Sequence, residues 1–349
     1  MSTDWNEAKV LIVGGAGFVG GNLTKTLLDT GVKEVFIVDN LLSSEPENIP
    51  ESDRVVFWEG SVADDLILRN IKDDFDYVFH LATYHGNQSS IHDPLADHEN
   101  NLLTTLKLFN WITNFKRLEK VVYSGAGCAV AEKTFDQARP TTEEDPISLE
   151  MDSPYSISKI VGEFYAVYFY KQHGLPTVRA RFQNVYGPGE VLGAGKWRGT
   201  SATVWRNVIP TFIYKALNKE VLPLENEGIA SRDFIYVDDV IRGLMLCARH
   251  GEPGEVYNLA SGVETTIREL ADIINRLTNN ATEPRHLPKR DWDRSGRRIG
   301  STEKSFVKLG FKAGVDINEG LQRTIKWTMG NLEFIQRTIG KHKQLMEKI

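Results

Sequence analysis

The stretch Lys9-Val10-Leu11-Ile12-Val13-Gly14-Gly15-Ala16-Gly17-Phe18-Val19-Gly20 decides the fold. An apolar run ends in glycines three apart, and a helical pattern follows. Gly14 permits a tight strand-to-helix turn, Gly17 lets backbone approach a pyrophosphate, and Gly20 allows close helix–sheet packing. A helix starting near Phe18 offers the free N–H groups of Phe18 and Val19 and a favourable dipole to phosphate. Asp39, with Asn40 beside it, ends the next apolar run roughly 20 residues further on, where a carboxylate accepts both hydroxyls of a ribose. It would repel a 2′-phosphate, so the reading favours NAD over NADP. The competing reading is that Asp39 caps a turn with Asn40.

Short β-branched runs alternate with helical patterns through the first half. Residues 10–13, 35–38, 55–58, 77–81, 121–123 and 177–181 read as strands, with helices near 18–30, 64–72, 93–114 and 153–173. Strand–helix alternation with nearly continuous apolar strands implies an α/β, doubly wound, Rossmann-like parallel sheet covered on both faces. The rhythm breaks after residue 184. The expected division is a dinucleotide-binding domain over 1–183, with 233–260 returning to it. Residues 184–349 then form mainly a smaller mixed α/β lobe, ending in a helical tail whose Leu332, Phe334, Ile335 and Ile339 share one face.

With 349 residues, 41% of them hydrophobic and 25% charged, the chain has a soluble globular composition. A net charge of −6 argues against bulk nucleic-acid binding. The N-terminus has no signal-peptide core, and no run is long enough to span a membrane. Two cysteines, Cys128 and Cys247, give no disulfide framework and point to a reducing cytoplasm. His85 and His92 find no further ligands at metal-binding spacing, so no metal is expected.

A second motif is Ser153-Pro154-Tyr155-Ser156-Ile157-Ser158-Lys159. On a helix Tyr155 and Lys159 share a face. A phenol is a poor base at neutral pH, and an ammonium beside it favours the phenolate, so the pair reads as a general base and its tuner.

Together with His80-Leu81-Ala82, Asn101 near Thr104-Thr105, Asn184-Val185-Tyr186-Gly187-Pro188, Arg232 to Asp239 and Tyr257-Asn258, these motifs resemble the extended short-chain dehydrogenase/reductase family. Within it the likeness is to nucleotide-sugar epimerases and dehydratases, including NAD-dependent epimerases of bacterial O-antigen clusters. The resemblance implies tightly bound NAD, with Tyr155 deprotonating a sugar hydroxyl and Lys159 holding the nicotinamide ribose. It places Ser61, Val62, Leu81, Ala82, Thr83 and Asn101 at the cofactor. Asn184, Asn207 with Val208, Arg232 and Arg290 fall at the nucleotide diphosphate, where fork-shaped arginine suits the task. It also implies a homodimer through helices near 93–114 and 153–173, with Leu106, Phe109, Trp111, Tyr165, Tyr168 and Phe169 as candidate contacts.

Two departures stand out. The family's catalytic Ser or Thr, which follows the fifth strand, falls here on Ala126 or Gly127 within Tyr123-Ser124-Gly125-Ala126-Gly127-Cys128. Thr83, Tyr84, His85 or Cys128 fills the gap, or Tyr155 acts alone, or catalysis is lost. The run also lacks the acid pair of 4,6-dehydratases. Ser61 stands where the family often has Asp, leaving Val62 to make a backbone contact.

Tyr84 and His85 open a polar segment at a strand end, a place for substrate groups. Lys196, Arg198 and Arg206, with Trp197 and Trp205, would suit a sugar carboxylate, or are solvated loop charges. The leading expectation is an NAD-dependent epimerase, most simply at C4, acting on a UDP-linked hexosamine or hexuronic acid. A dehydratase or decarboxylase is the enzymatic alternative, and a catalytically idle NAD-binding sensor or scaffold the alternative of another class.

Overall fold

A computed structural model describes residues 5–131, 134–289 and 296–348. Seven parallel strands form the central sheet: β1 (Lys9–Val13), β2 (Glu34–Asp39), β3 (Val55–Glu59), β4 (Tyr77–His80), β5 (Lys120–Ala126), β6 (Thr177–Phe182) and β7 (Val256–Leu259), in the order β7-β6-β5-β4-β1-β2-β3. Their pattern is apolar throughout because both faces are buried. Val10, Ile12, Val35, Ile37 and Phe79 enter one core, while Leu11, Val13, Phe36, Val38 and Val78 enter the other. The register sets Val13 against both Val38 and His80. The carboxyl ends of β1, β2 and β4 therefore lie level at one edge.

Helix α1 (Phe18–Asp29) follows β1 directly. Helix α2 (Pro154–His173) begins where the Ser153 hydroxyl accepts the Ser156 N–H and Pro154 fills a position needing no donor. It stops at Gly174, whose φ of 71° suits glycine. Helix α3 (Val237–His250) packs on α1.

Ser231–Tyr236 does not join the central sheet. It lies between Asn184–Tyr186 and Glu264–Thr266 in a separate three-stranded sheet, whereas Val256–Leu259 pairs with β6. The tail forms short helices rather than one. In Leu332–Gly340, Ile335 is buried against Val191, Leu192 and Ala194. Thr338 donates to the Leu192 carbonyl at 2.8 Å, His342 meets the Gly193 carbonyl at 2.9 Å, and Lys341 pairs with Glu45.

Two of the expected dimer contacts, Phe109 and Phe169, face their own core. The sheet needs that apolar cover, so helical spacing alone misplaced them. Tyr168 and Phe164 on α2 are exposed instead. No helix among the described residues is long and apolar enough to cross a membrane.

Candidate active site

The strand ends border a cavity of about 920 Å³, at the upper end of what small-molecule pockets offer. On its floor, Gly14 (φ +90°) could carry no Cβ without striking Leu81 and Ala82, and a Cβ on Gly20 would strike the Gly14 carbonyl. Gly17 is different. Its φ of −71° suits any residue, and a Cβ would meet nothing nearer than the Gly14 oxygen at 3.3 Å. Its bareness answers to something outside the chain, as expected where a ligand approaches backbone. The first turn of α1 has no acidic residue and no side-chain cap, so the N–H groups at Phe18 and Val19 are open to an anion.

Asp39 accepts the Ala16 N–H (3.0 Å), the Leu41 N–H (2.9 Å) and the Ser44 hydroxyl (3.1 Å). Burial pushes its carboxyl up while these donors oppose the shift. The same contacts fasten the glycine turn to the end of β2. Asn40, Ser61, Val62, Leu81, Ala82 and Thr83 complete this side of the cavity. The set fits a dinucleotide, with open N–H groups at α1 for phosphate.

Tyr155 and Lys159 both line the cavity from α2. Lys159 is 4% exposed. Its ammonium donates to the Ser124 carbonyl (3.1 Å) and hydroxyl (3.3 Å), and burial pushes it down to about 8. Ser124 in turn donates to the His80 carbonyl at 3.0 Å, so this serine serves to seat the lysine. Burial pushes the Tyr155 phenol well up, and the Thr83 hydroxyl works against that shift. The hydrogen bonds of the Lys159 ammonium go to Ser124.

Asn184, Asn207, Val208, Arg232 and His85 also line the cavity. Asn207 donates to buried Glu190, whose carboxyl burial pushes up to about 7. The His85 ring stands edge-on to Tyr155, centroids 6.0 Å apart, and burial, with Arg206 and Arg198 nearby, pushes it down to about 3. Arg198, itself pushed down to about 9 by burial, donates to the Ser43 hydroxyl at 2.8 Å and the His85 carbonyl at 3.4 Å.

Two expected contacts are corrected. Asn101 does not border the cavity: its amide bonds the Tyr84 N–H at 2.8 Å and Asp97 at 2.7 Å, bracing the loop after β4. Tyr84 is 3% exposed and also turned away from the cavity, under Arg198. Tyr84 is sent inward by alternation after the strand, and Asn101 lies on the buried face of the helical turn His98–Leu103. Arg290 lies outside the described residues. Sequence reasoning missed Gln183, Glu190, Arg285, Lys289 and Arg298, all at the cavity wall. Gln183 and Glu190 flank the Asn184–Pro188 motif and were within reach of it; the three cations come from distant segments, Arg285 from the short strand Arg285–Leu287.

The model of the NAD dependent epimerase/dehydratase family matches residues 10–260. The solved structure of the Bordetella bronchiseptica enzyme WbmF in complex with NAD+ and UDP is 58% identical, covers 100% of both chains and superposes with a TM-score of 0.90. A UDP-glucose 4-epimerase of Mycolicibacterium smegmatis is 29% identical over 91% of this chain and 98% of its own length. A dTDP-glucose 4,6-dehydratase of Salmonella typhimurium is 26% identical over 94% of each.

Proposed function

The chain belongs to the NAD dependent epimerase/dehydratase family, with NAD as its cofactor, and from that premise we propose a nucleotide-sugar epimerase. Its substrate is a UDP-linked hexosamine or hexuronic acid, inverted most simply at C4. The observation that carries this reading is the Tyr155–Lys159 pair at the wall of a single cavity that also holds the glycine turn. NAD, held by Gly14, Gly17 and Asp39, supplies the acceptor and later the donor of a hydride. Tyr155 takes the proton of the sugar hydroxyl as the carbon is oxidised, and returns it after the keto-sugar has turned over in the cavity. Lys159 supplies positive charge that steadies the phenolate.

Charge favours the acidic sugar. Arg206 and Lys159 line the cavity and Arg198 lies behind it on the His85 carbonyl, while Glu190, pushed up to about 7, offsets only part of that charge. Dehydration is disfavoured because β5 ends in Gly125-Ala126-Gly127, with no carboxylate to expel water. The residues from 184 onward, with 233–260 partly returned to the sheet, form the sugar-nucleotide lobe in this reading. A cytoplasmic homodimer through α2, serving O-antigen assembly, fits the exposed Phe164 and Tyr168.

Chromatography with mass detection on a panel of UDP-sugars, uronic acids and acetamido sugars included, tests the proposal. A shifted product of unchanged mass supports it. Loss of water or carbon dioxide overturns it in favour of dehydration or decarboxylation. Cellular function that survives Tyr155→Phe would point to an idle NAD-binding sensor or scaffold.

A further inference from the structure

The strand that furnishes the family's third catalytic group has no means of doing so here. The Ser124 hydroxyl is engaged with His80 and Lys159. A side chain on Gly125 would run into the Glu163 carboxylate at 2.6 Å, and the place of one on Gly127 is filled by the Gln183 amide. Ala126 lines the cavity with a methyl group. Cys128 packs with Tyr155 in an apolar cluster and is a weak donor.

One strand over, Thr83 has what is missing. It lines the same cavity. Its Oγ1 is buried, and no hydrogen bond of full geometry reaches it among the described residues, a state with a free-energy cost. It lies beside the Tyr155 phenol and favours its ionised form. A hydroxyl donates once and accepts twice, so it can bridge a sugar oxygen and a phenolate at the same time. His85 also reaches the cavity, but burial keeps its ring neutral and it meets Tyr155 in a T-shaped ring contact.

We propose that Thr83 is a catalytic residue, supplying from the end of β4 the hydroxyl that relatives draw from β5. The inference rests on the epimerase reading above. The sugar O–H bond breaks as its proton passes to Thr83 Oγ1, while the proton of Thr83 passes to Tyr155 Oη. The return half runs the same two transfers backwards, so Thr83 and Tyr155 end as they began.

Thr83→Val removes the hydroxyl at nearly constant volume, Thr83→Ser keeps it, and Thr83→Val/Ala126→Ser moves it to β5. The first readout needs no substrate. Protein with fluorinated tyrosines, which ionise at lower pH, is titrated by 19F NMR, with Tyr155 assigned by its loss in Tyr155→Phe. Asp97, Tyr123, Cys128 and His85 face the phenol in every variant, and Lys159 lies on the same helix. The midpoint is expected to rise in Thr83→Val and stay in place in Thr83→Ser. The second readout is turnover of the sugar found above. It is expected to show a kcat at least ten-fold lower for Thr83→Val with little change in KM, restored by Thr83→Ser and in part by the relocated serine. An unmoved midpoint in Thr83→Val, or an unchanged kcat, overturns the assignment. If wild-type protein leaves every sugar untouched, the epimerase reading fails, and the NMR midpoints still decide whether Thr83 governs Tyr155.

Discussion

Lys159→Met should abolish activity and yet stabilise the fold, by an amount that depends on pH. Lys159 is 4% exposed, and burial lowers its pKa from 10.5 to about 8. Between those values the unfolded chain binds the proton more tightly than the folded one, so wild-type stability rises with pH across this window. At about 1.4 kcal/mol per pKa unit, the charged lysine costs the native state about 3 kcal/mol at pH 7 and about 1 kcal/mol at pH 9.5. Methionine carries no such cost at either pH. It does forfeit the two hydrogen bonds to Ser124, but that loss is nearly independent of pH. The advantage of the variant over wild type should therefore shrink by about 2 kcal/mol between pH 7 and pH 9.5. At this chain length that corresponds to about 3 °C in Tm. Urea unfolding of protein stripped of dinucleotide measures it, since a ligand that binds only the native state would mask the effect. A gap that stays constant or widens with pH would refute the reasoning.

The glycine turn gives a paired test: Gly20→Ala, which strikes the Gly14 carbonyl, should cost about 2 kcal/mol in an unfolding curve. Gly17→Ala should unfold almost as wild type yet be purified without nucleotide absorbance. Glu190, raised from 4.5 to about 7 by burial, adds stability below pH 4.5 that is lost as pH rises through 7. Relative to Glu190→Gln, wild type should therefore gain about 2.5 kcal/mol on going from pH 8 to pH 5, read from unfolding at both values. Arg181 is 2% exposed and pairs with buried Glu163 at 2.9 Å. Arg181→Met should cost about 3 kcal/mol by thermal unfolding, and adding Glu163→Gln should recover much of it.

The parallel sheet was legible because its strands are apolar on both faces and its first turn is bound by steric rules that glycine alone meets. Asp39, Tyr155 and Lys159 were legible because each stands at a fixed offset from an element boundary. What escaped was side-chain direction beyond the strand ends. Nothing local distinguishes Tyr84, which turns inward, from Thr83 and His85, which face the cavity, since one step of backbone rotation decides it. Ser124 was equally opaque. Its role of seating Lys159 arises between a strand and a helix that only the fold brings together. Arg285, on a three-residue strand, and Lys289 and Arg298, on loops, reach the cavity with no periodicity to betray them.

The helix Leu332–Gly340 has a further consequence for how such a pocket can be altered. Through Thr338, His342 and Lys341 its region grips both the loop at 191–195 and Glu45, two segments already joined by the Gly195 N–H donating to the Glu45 carboxylate at 2.8 Å. Any graft that exchanges the 191–206 loop for another specificity must bring this helix with it, or the new loop will lack a backing surface. Loop and tail thus form one cassette, and it carries with it a fitted seam to the segment after β2, where Ser43, Glu45 and Glu47 receive Arg198, Lys341 and Arg337.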